Sequence, residues 1–440
     1  MTTPQTDPTT TTTTSTTSAD LTVNPQSTLL AAVQPSPSVH NYARSTQAIH
    51  ADDPLNRNED VAPALHVSTT FRYADNAEEL KTFDEIDMAT YDKHVYSRLS
   101  GPNSTRFETI LSSLLNAQAL TYTSGLSAFH AIMVFLNPRR IAITAGYHGV
   151  HGVIGLHKKI SGLQVLPLDC PAEDLHPGDI VHVETPLNPT GEASSIAAYA
   201  AKAHARGAYL VVDATFGPPG LQDPFALGAD VVMHSGTKYL GGHSDMLCGV
   251  LATKRQDWWA GLWGERLFLG SVMGSLEGWL GVRSLRTLEL RVQRQSQNAT
   301  KIVEWLDSMM STSSDADSLS NDDRQVKAAV QKSVARIAHA SLQARDPSVA
   351  TWLSKQMPNG YGPVFAIWMQ DESFARRLPA ELKLFHHATS LGGVESLIEW
   401  RRMTDSGVEP TLLRVSIGIE AWEDLRDDLG RGFRALVGAL

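Results

Sequence analysis

The sequence predicts an α/β fold built on a mostly parallel sheet, followed by a smaller C-terminal α/β domain. Three observations carry this expectation. Short β-branched runs (RIAITAG, DIVHVETP, AYLVVDAT, ADVVMHSG, MLCGVLAT) recur between about residues 105 and 255. Ala-rich, helix-favouring stretches such as SIAAYAAKAHARG separate them, an alternation that reads as a parallel sheet covered by helices. Glu184, Asp213 and His234–Lys238 each follow an apolar run directly, and ligands gather where parallel strands end.

Taken in order, the chain opens on MTTPQTDPTTTTTTSTTSAD, a Thr/Ser/Pro tract too polar to build a core and expected to be disordered. No Lys or Arg precedes Arg44, which argues against a mitochondrial presequence, and no apolar stretch there suits a secretory signal. A cytoplasmic location is the expectation. TYTSGLSAFHAIMVFL reads as a strand, a Ser-Gly turn and a helix. From about residue 277, LEGWLGVRSLRTLELRVQRQSQNATKIVEWLDSMM reads as one long amphipathic helix leading into the small domain. STSSDADSLSNDDR at 311–324 reads as an exposed loop. The expected division is a disordered arm (1–43), an N-terminal segment (44–105), a large domain (106–276), and a linking helix with the small domain (277–440).

Composition narrows the function. Hydrophobic residues make up 42% and charged residues 19% of 440 positions, with a net charge of -10. Phosphate neutralisation needs a basic face, so general nucleic-acid binding is disfavoured. No run approaches the roughly 20 apolar residues of a membrane span. Cys170 and Cys248 lie far apart in apolar segments, as buried free thiols of a reducing compartment would.

Lys238, in HSGTKYLGGHSD, leaves an apolar strand where a solvated loop would be the plain reading. A desolvated lysine can instead attack an aldehyde. Ser235 and Thr237 flank it with hydroxyls suited to a phosphate ester, and Gly241 and Gly242 let backbone approach a ligand. Asp213 closes the run LVVD; it reads either as a helix cap or as an acceptor keeping a pyridine nitrogen protonated. The helix start after Ser124 offers amides to a phosphate. Tyr147 could lie over a flat cofactor or simply pack. His148, His151 and His157, and His234 and His243 around Lys238, flank a Gly-rich turn without the converging acidic or thiolate ligands of a metal site, so no metal is expected.

LVVDATFGPPGLQDPFALGADVVMHSGTKYLGGHSDMLCGV resembles the central motif of the pyridoxal-phosphate-dependent trans-sulfuration family. Further matching motifs are TQAIHADDP (46–54), STTF (68–71), YSR (96–98), TSGLSA (123–128), ETPLNPTG (184–191), SLGGVESL (390–397) and LLRVSIGIE (412–420). The resemblance implies the fold type I, aspartate-aminotransferase-like architecture and a pyridoxal 5'-phosphate cofactor. It implies that Lys238 holds the cofactor aldehyde and moves the substrate α-proton, that Asp213 pairs with the pyridine nitrogen, and that Tyr147 stacks on the ring. Gly125 and Leu126 would offer amides, and Ser235 and Thr237 hydroxyls, to the phosphate; Asn188 would contact the ring's phenolic oxygen. Tyr96 and Arg98 would reach the neighbouring subunit's phosphate site, implying a homodimer or homotetramer with shared active sites. Arg414, helped by Ser390, would clamp the α-carboxylate of an amino-acid substrate.

The departures from the family pattern fall around the substrate: Ala214 after Asp213, His148 after Tyr147, the scrambled Gly101-Pro102-Asn103-Ser104-Thr105, Thr389 before SLGG, and a shortened IEWRRMTDSGVEP. The expected activity is elimination or replacement at the β or γ carbon of sulfur amino acids or activated homoserine. Two alternatives stand beside it. One is a specialised-metabolism enzyme adding a carbon or nitrogen nucleophile to a vinylglycine intermediate; the other is a non-catalytic cofactor-binding relative.

Overall fold

The computed structural model describes residues 39–438 apart from 57, 59, 83, 84, 86–93 and 313–319. The Thr-rich arm and much of the 311–324 stretch therefore lie outside the described residues. Asn321–Arg324, read as loop from sequence, instead open a helix, because Ser320 Oγ accepts the Asp323 N–H and caps it.

Seven strands form the large sheet: β1 (Gln118–Tyr122), β2 (Arg140–Ile143), β3 (Gln164–Pro167), β4 (Ile180–Glu184), β5 (Tyr209–Asp213), β6 (Val231–Ser235) and β7 (Gly249–Thr253). Their spatial order is β1-β7-β6-β5-β4-β2-β3. The run from β6 through β5, β4 and β2 to β3 is parallel, and β7 pairs antiparallel with both β6 and β1. The helices of this half are α1 (Arg44–His50), α2 (Pro102–Leu115), α3 (Gly125–Leu136), α4 (His148–Ser161), α5 (Ile196–His204) and α6 (Gln256–Leu269). The inner strands are buried on both faces, whereas the edge strand β3 is largely exposed. Val181, Val183, Leu210 and Val212 pack into one core, while Ile180, Val211, Val231 and Met233 pack into another with α3, α4 and α6 residues. Such strands need continuous β-branched runs rather than alternation, which is why they were legible in the sequence.

The segment expected as one long helix is two: α7 (Ser275–Leu285) and α8 (Leu288–Met310). The break has a tertiary cause. Arg286 turns back to donate to Ala48 O and to Asp52 Oδ1, each at 2.7 Å. Thr287 leaves helical geometry at φ -118° and ψ 11°. Apolar periodicity continues across this break, so the pattern alone does not reveal it.

The smaller half holds α9 (Asn321–Ser333), α10 (Ala340–Gln343), α11 (Pro347–Gln356), α12 (Glu372–Glu381) and α13 (Trp422–Gly438). Its sheet comprises β8 (Val334–Ala338), β9 (Val364–Met369), β10 (His386–His387), β11 (Leu397–Trp400) and β12 (Leu412–Ser416), ordered β10-β11-β12-β9-β8. Phe365, Ile367, Leu413 and Val415 join α8, α9, α12 and α13 residues in its core. The opposite face, carrying Ala366, Arg414 and Glu399, is turned to the cleft between the halves, where Arg414 meets Asn188 of the large half.

A buried ion pair joins three elements beneath the cleft. Glu108 of α2 accepts the N–H and hydroxyl of Thr121 on β1, at 2.9 and 2.6 Å, and the Arg266 guanidinium of α6. Both charged side chains are 6% exposed. Removing one member strands the other charge in a dry interior, a loss of about 3–5 kcal/mol. Arg266→Met is therefore expected to lower unfolding free energy by that order in denaturant titration. The double change Glu108→Gln with Arg266→Met should cost distinctly less; equal losses would show that packing, not charge, sets the effect.

Candidate active site

Strand ends of the large sheet and the rim of the small sheet meet around Lys238. Lys238 leaves the turn after β6, and its Nζ donates to Ser390 Oγ at 2.7 Å. Burial first, and the Arg414 guanidinium second, bring its pKa down to about 8; Glu399 opposes them. An appreciable fraction is thus free amine in mildly alkaline solution. Ser390 holds φ at 82°, and its carbonyl accepts from Arg414 Nη2 at 2.9 Å. One residue thereby links the amine to the guanidinium.

Arg414 projects from β12 and is 5% exposed. Its Nη1 donates to Asn188 Oδ1 at 3.1 Å and its Nη2 to Glu399 Oε2 at 2.6 Å. Asp213 ends β5, buried, and takes both the N–H and hydroxyl of Thr215 on Oδ1, at 2.9 and 2.5 Å. Its pKa is raised by burial, against the Thr215 bonds. Thr215 Oγ1 also accepts the Ser235 N–H at 2.8 Å, tying the ends of β5 and β6 together.

The α3 N-terminus abuts the same point. Ser124 Oγ caps it by accepting the Ser127 N–H at 3.1 Å, and a Cβ at Gly125 would lie 3.2 Å from Ser235 Cβ. Gly125, Leu126 and Ser235 are thus neighbours around a helix start. Thr237 Oγ1 donates to Cys248 O at 3.3 Å and accepts the Cys248 N–H at 3.0 Å, so in this structure its hydroxyl is engaged with β7. Tyr147 is the residue before α4 and is half-exposed; its ring lies over Gly149, where a Cβ would meet it at 2.7 Å. Thr389 is exposed beside Ser390.

Tyr96 pairs with Thr70 in an isolated bridge, and Arg98 lies in the turn that follows it. Arg98 lies over the Tyr96 ring at 5.4 Å. Among the described residues, no hydrogen bond joins either side chain to Ser235 or Lys238.

Glu184, noted in the sequence only as a strand-end residue, proves central. It ends β4 directly opposite Asp213 in the parallel register. Its Oε2 accepts the Tyr147 N–H at 2.9 Å and its Oε1 the Asn188 N–H at 2.8 Å. One carboxylate thus fixes both segments that flank the cleft. Tyr147, His151, His182 and Glu184 line a shallow recess beside it. His182, with both ring nitrogens unpartnered, is held neutral by burial first and His151 second, its pKa near 3. Burial first, and Asp213 second, push Glu184 up to about 8; the two N–H donors and Arg414 pull the other way. Its place directly after an apolar run, like that of Asp213 after LVVD, was the sequence signal available.

These residues fit pyridoxal phosphate. Two buried carboxyls side by side, both held above their ordinary pKa, favour a proton or cation beside them, and a protonated pyridine nitrogen would supply one. Asp213 keeps Oδ2 clear of the Thr215 bonds, the α3 N-terminus and Ser235 suit a phosphate, and Lys238 is a desolvated amine.

The family model for the Cys/Met metabolism PLP-dependent enzymes matches residues 45–434. The chain is 33% identical over 403 residues to cystathionine gamma-synthase of Escherichia coli K12, covering 85% of this chain and 93% of that protein. It is 32% identical over 420 residues to cystathionine gamma-lyase of Dictyostelium discoideum, covering 89% and 98%. Among solved structures, the apo form of a methionine gamma lyase from Micromonospora echinospora superposes with a TM-score of 0.75 at 30% identity, covering 89% of this chain and 99% of that one.

The Glu184 geometry has a pH consequence. The unfolded carboxyl releases its proton near 4.5, the folded one near 8. Between those values the folded state binds the extra proton, so stability falls as pH rises. Cofactor-free protein should lose stability from about pH 5.5 to 8, and Glu184→Gln should flatten that decline whatever its effect on absolute stability. Identical slopes in denaturant titrations of the two proteins would refute the assignment.

Proposed function

We propose a reaction for a chain that belongs to the Cys/Met metabolism PLP-dependent enzyme family: elimination or replacement at the β or γ carbon of a sulfur amino acid or activated homoserine. The observation that carries it is the convergence of Lys238 and Arg414 on Ser390, beside Asp213, in one cleft. Bound pyridoxal phosphate supplies an electron sink for an amino acid attached through its aldehyde carbon. The protein's residues do the rest. Asp213 would keep the proton on the pyridine nitrogen, the α3 amides at Gly125 and Leu126 and the Ser235 hydroxyl would seat the phosphate, Thr237 joining them once its hydroxyl turns from Cys248 O, and Tyr147 would cover the ring. Asn188 orients the ring's phenolic oxygen. Arg414 binds the substrate α-carboxylate as a planar two-pronged donor, and Ser390 and Thr389 shape the adjoining rim.

Lys238 carries the cofactor and then moves the proton at Cα. With a pKa of about 8 its amine is basic enough to take a proton yet is not permanently charged. Elimination at Cγ needs a second proton taken from Cβ; the Lys238 amine would take it, with the Tyr147 hydroxyl the proposed proton carrier to the departing group.

The functional unit in this reading is a homodimer or homotetramer whose sites are shared through Tyr96 and Arg98. The segment carrying them leaves Val61, Val67, Tyr73 and Leu80 exposed, an apolar strip that a second subunit would cover. No helix of the described residues is long and apolar enough to cross a membrane. Cys170 and Cys248, buried as free thiols, suit work in the cytosol.

Incubating the holoenzyme with cystathionine, methionine, cysteine and O-acylated homoserines, with and without thiols, tests the reaction. A keto acid, or a new thioether, is the expected product, and Lys238→Ala should lose both the cofactor's visible absorbance and nearly all turnover. Full absorbance and turnover in that variant would remove Lys238 from the reaction.

Subunit sharing has its own test. Inactive Arg98→Ala and Lys238→Ala chains, mixed under conditions of verified exchange, should recover part of the activity. No recovery would place each site within one chain.

A further inference from the structure

The shortened segment after SLGG carries a charge arrangement that the reaction above leaves unused. Glu399 on β11 lies opposite Arg414 on β12. Its Oε2 accepts from Arg414 Nη2 at 2.6 Å and from Arg401 Nη1 at 2.9 Å. Its Oε1 accepts the Thr404 hydroxyl at 2.7 Å, and Arg401 Nη1 also reaches Thr404 Oγ1 at 2.9 Å. Both Arg401 and Glu399 are buried. Burial raises the Glu399 pKa, but Arg414 and Arg401 together outweigh it and hold the group below its ordinary value. One dry carboxylate therefore sits between two guanidiniums.

The arithmetic of charge gives this a use. Arg414 and Glu399 alone would close on each other as a neutral pair, and an incoming carboxylate would meet an anion 2.6 Å from the guanidinium meant to bind it. Adding Arg401 leaves the trio with one net positive charge. Asp405 offsets little of it, standing 4.0 Å from Arg401 Nη2 and partly exposed to solvent. Among the described residues, no acceptor meets the buried Arg401 Nε. A buried guanidinium with an unmet donor is costly, and an apolar side chain would serve packing better.

We propose that Arg401 is a positioning residue for substrate recognition: by sharing Glu399 it keeps Arg414 available and net positive toward the α-carboxylate of the amino-acid substrate. This rests on Arg414 being the carboxylate clamp.

The test titrates holoenzyme with L-2-aminobutyrate and with propylamine, its counterpart lacking the carboxylate, reading the cofactor's absorbance, alongside steady-state kinetics. Arg401→Met should weaken L-2-aminobutyrate binding and raise KM by about ten- to a hundredfold. Propylamine binding should be unchanged and kcat altered by less than about threefold. Arg401→Lys, which keeps the charge, should retain most of the affinity, and adding Glu399→Gln to Arg401→Met should restore it. Should Arg401→Met fail to fold, Arg401→Gln alone and combined with Glu399→Gln carry the same comparison. Equal weakening of both ligands, no weakening, or no recovery in the double variant would overturn the proposal. Arg414→Gln separates the two readings. If it abolishes the preference for L-2-aminobutyrate over propylamine while Arg401→Met preserves it, only the role of Arg401 fails. If Arg414→Gln keeps the preference, the clamp itself is elsewhere.

Discussion

Two buried carboxylates facing each other across neighbouring parallel strands are the constraint on which the cleft depends. The register that sets Glu184 against Asp213 is fixed by apolar runs that fill both faces of the sheet. A slip of one residue would turn every side chain to the wrong face. With the register set, each carboxylate takes a different duty. Asp213 spends one oxygen on Thr215 and leaves the other toward the cleft, whereas Glu184 uses both oxygens on backbone N–H groups of the flanking segments. The seat between them holds both carboxyls above their ordinary pKa, so it favours a proton or another cation there.

Around this seat, the positive groups are divided between the halves of the molecule. Lys238 comes from the large sheet and Arg414 from the small one. Their mutual repulsion adds to burial in drawing the lysine toward its neutral form. Glu399 works against that repulsion from the small-sheet side. The reactivity of the amine is therefore set jointly by two sheets that pack on separate cores.

Much of this was legible in the sequence, for physical reasons. Fully buried parallel strands leave uninterrupted runs such as LVVD and ADVVM, and the residues that follow those runs stand at the ligand-binding edge. Lys238, Asp213, Asn188, Gly125 and Arg414 were identifiable from motifs whose order spans the chain. Three features were not. The break at Arg286–Thr287 depends on a long-range grip on Asp52, invisible to helical periodicity. Glu184 holds the backbone amides of Asn188, within its own motif, and of Tyr147, 37 residues earlier, so its motif names it without revealing the second partner. The Glu399–Arg401 pairing depends on strand register and a short turn, where sequence showed only a departure from the family pattern.

Ser390 shows what such a site costs. Its backbone lies at φ 82°, a region that a side chain with a Cβ enters at a penalty of roughly 1–2 kcal/mol and that glycine enters freely. Gly392 and other glycines already serve such bends nearby, so the chain had the conformationally easier residue at hand. A hydroxyl is kept instead, bonded to the Lys238 amine. The loop therefore carries a standing trade between foldability and reactivity: the residue that would best relax it is the one that would let the amine go.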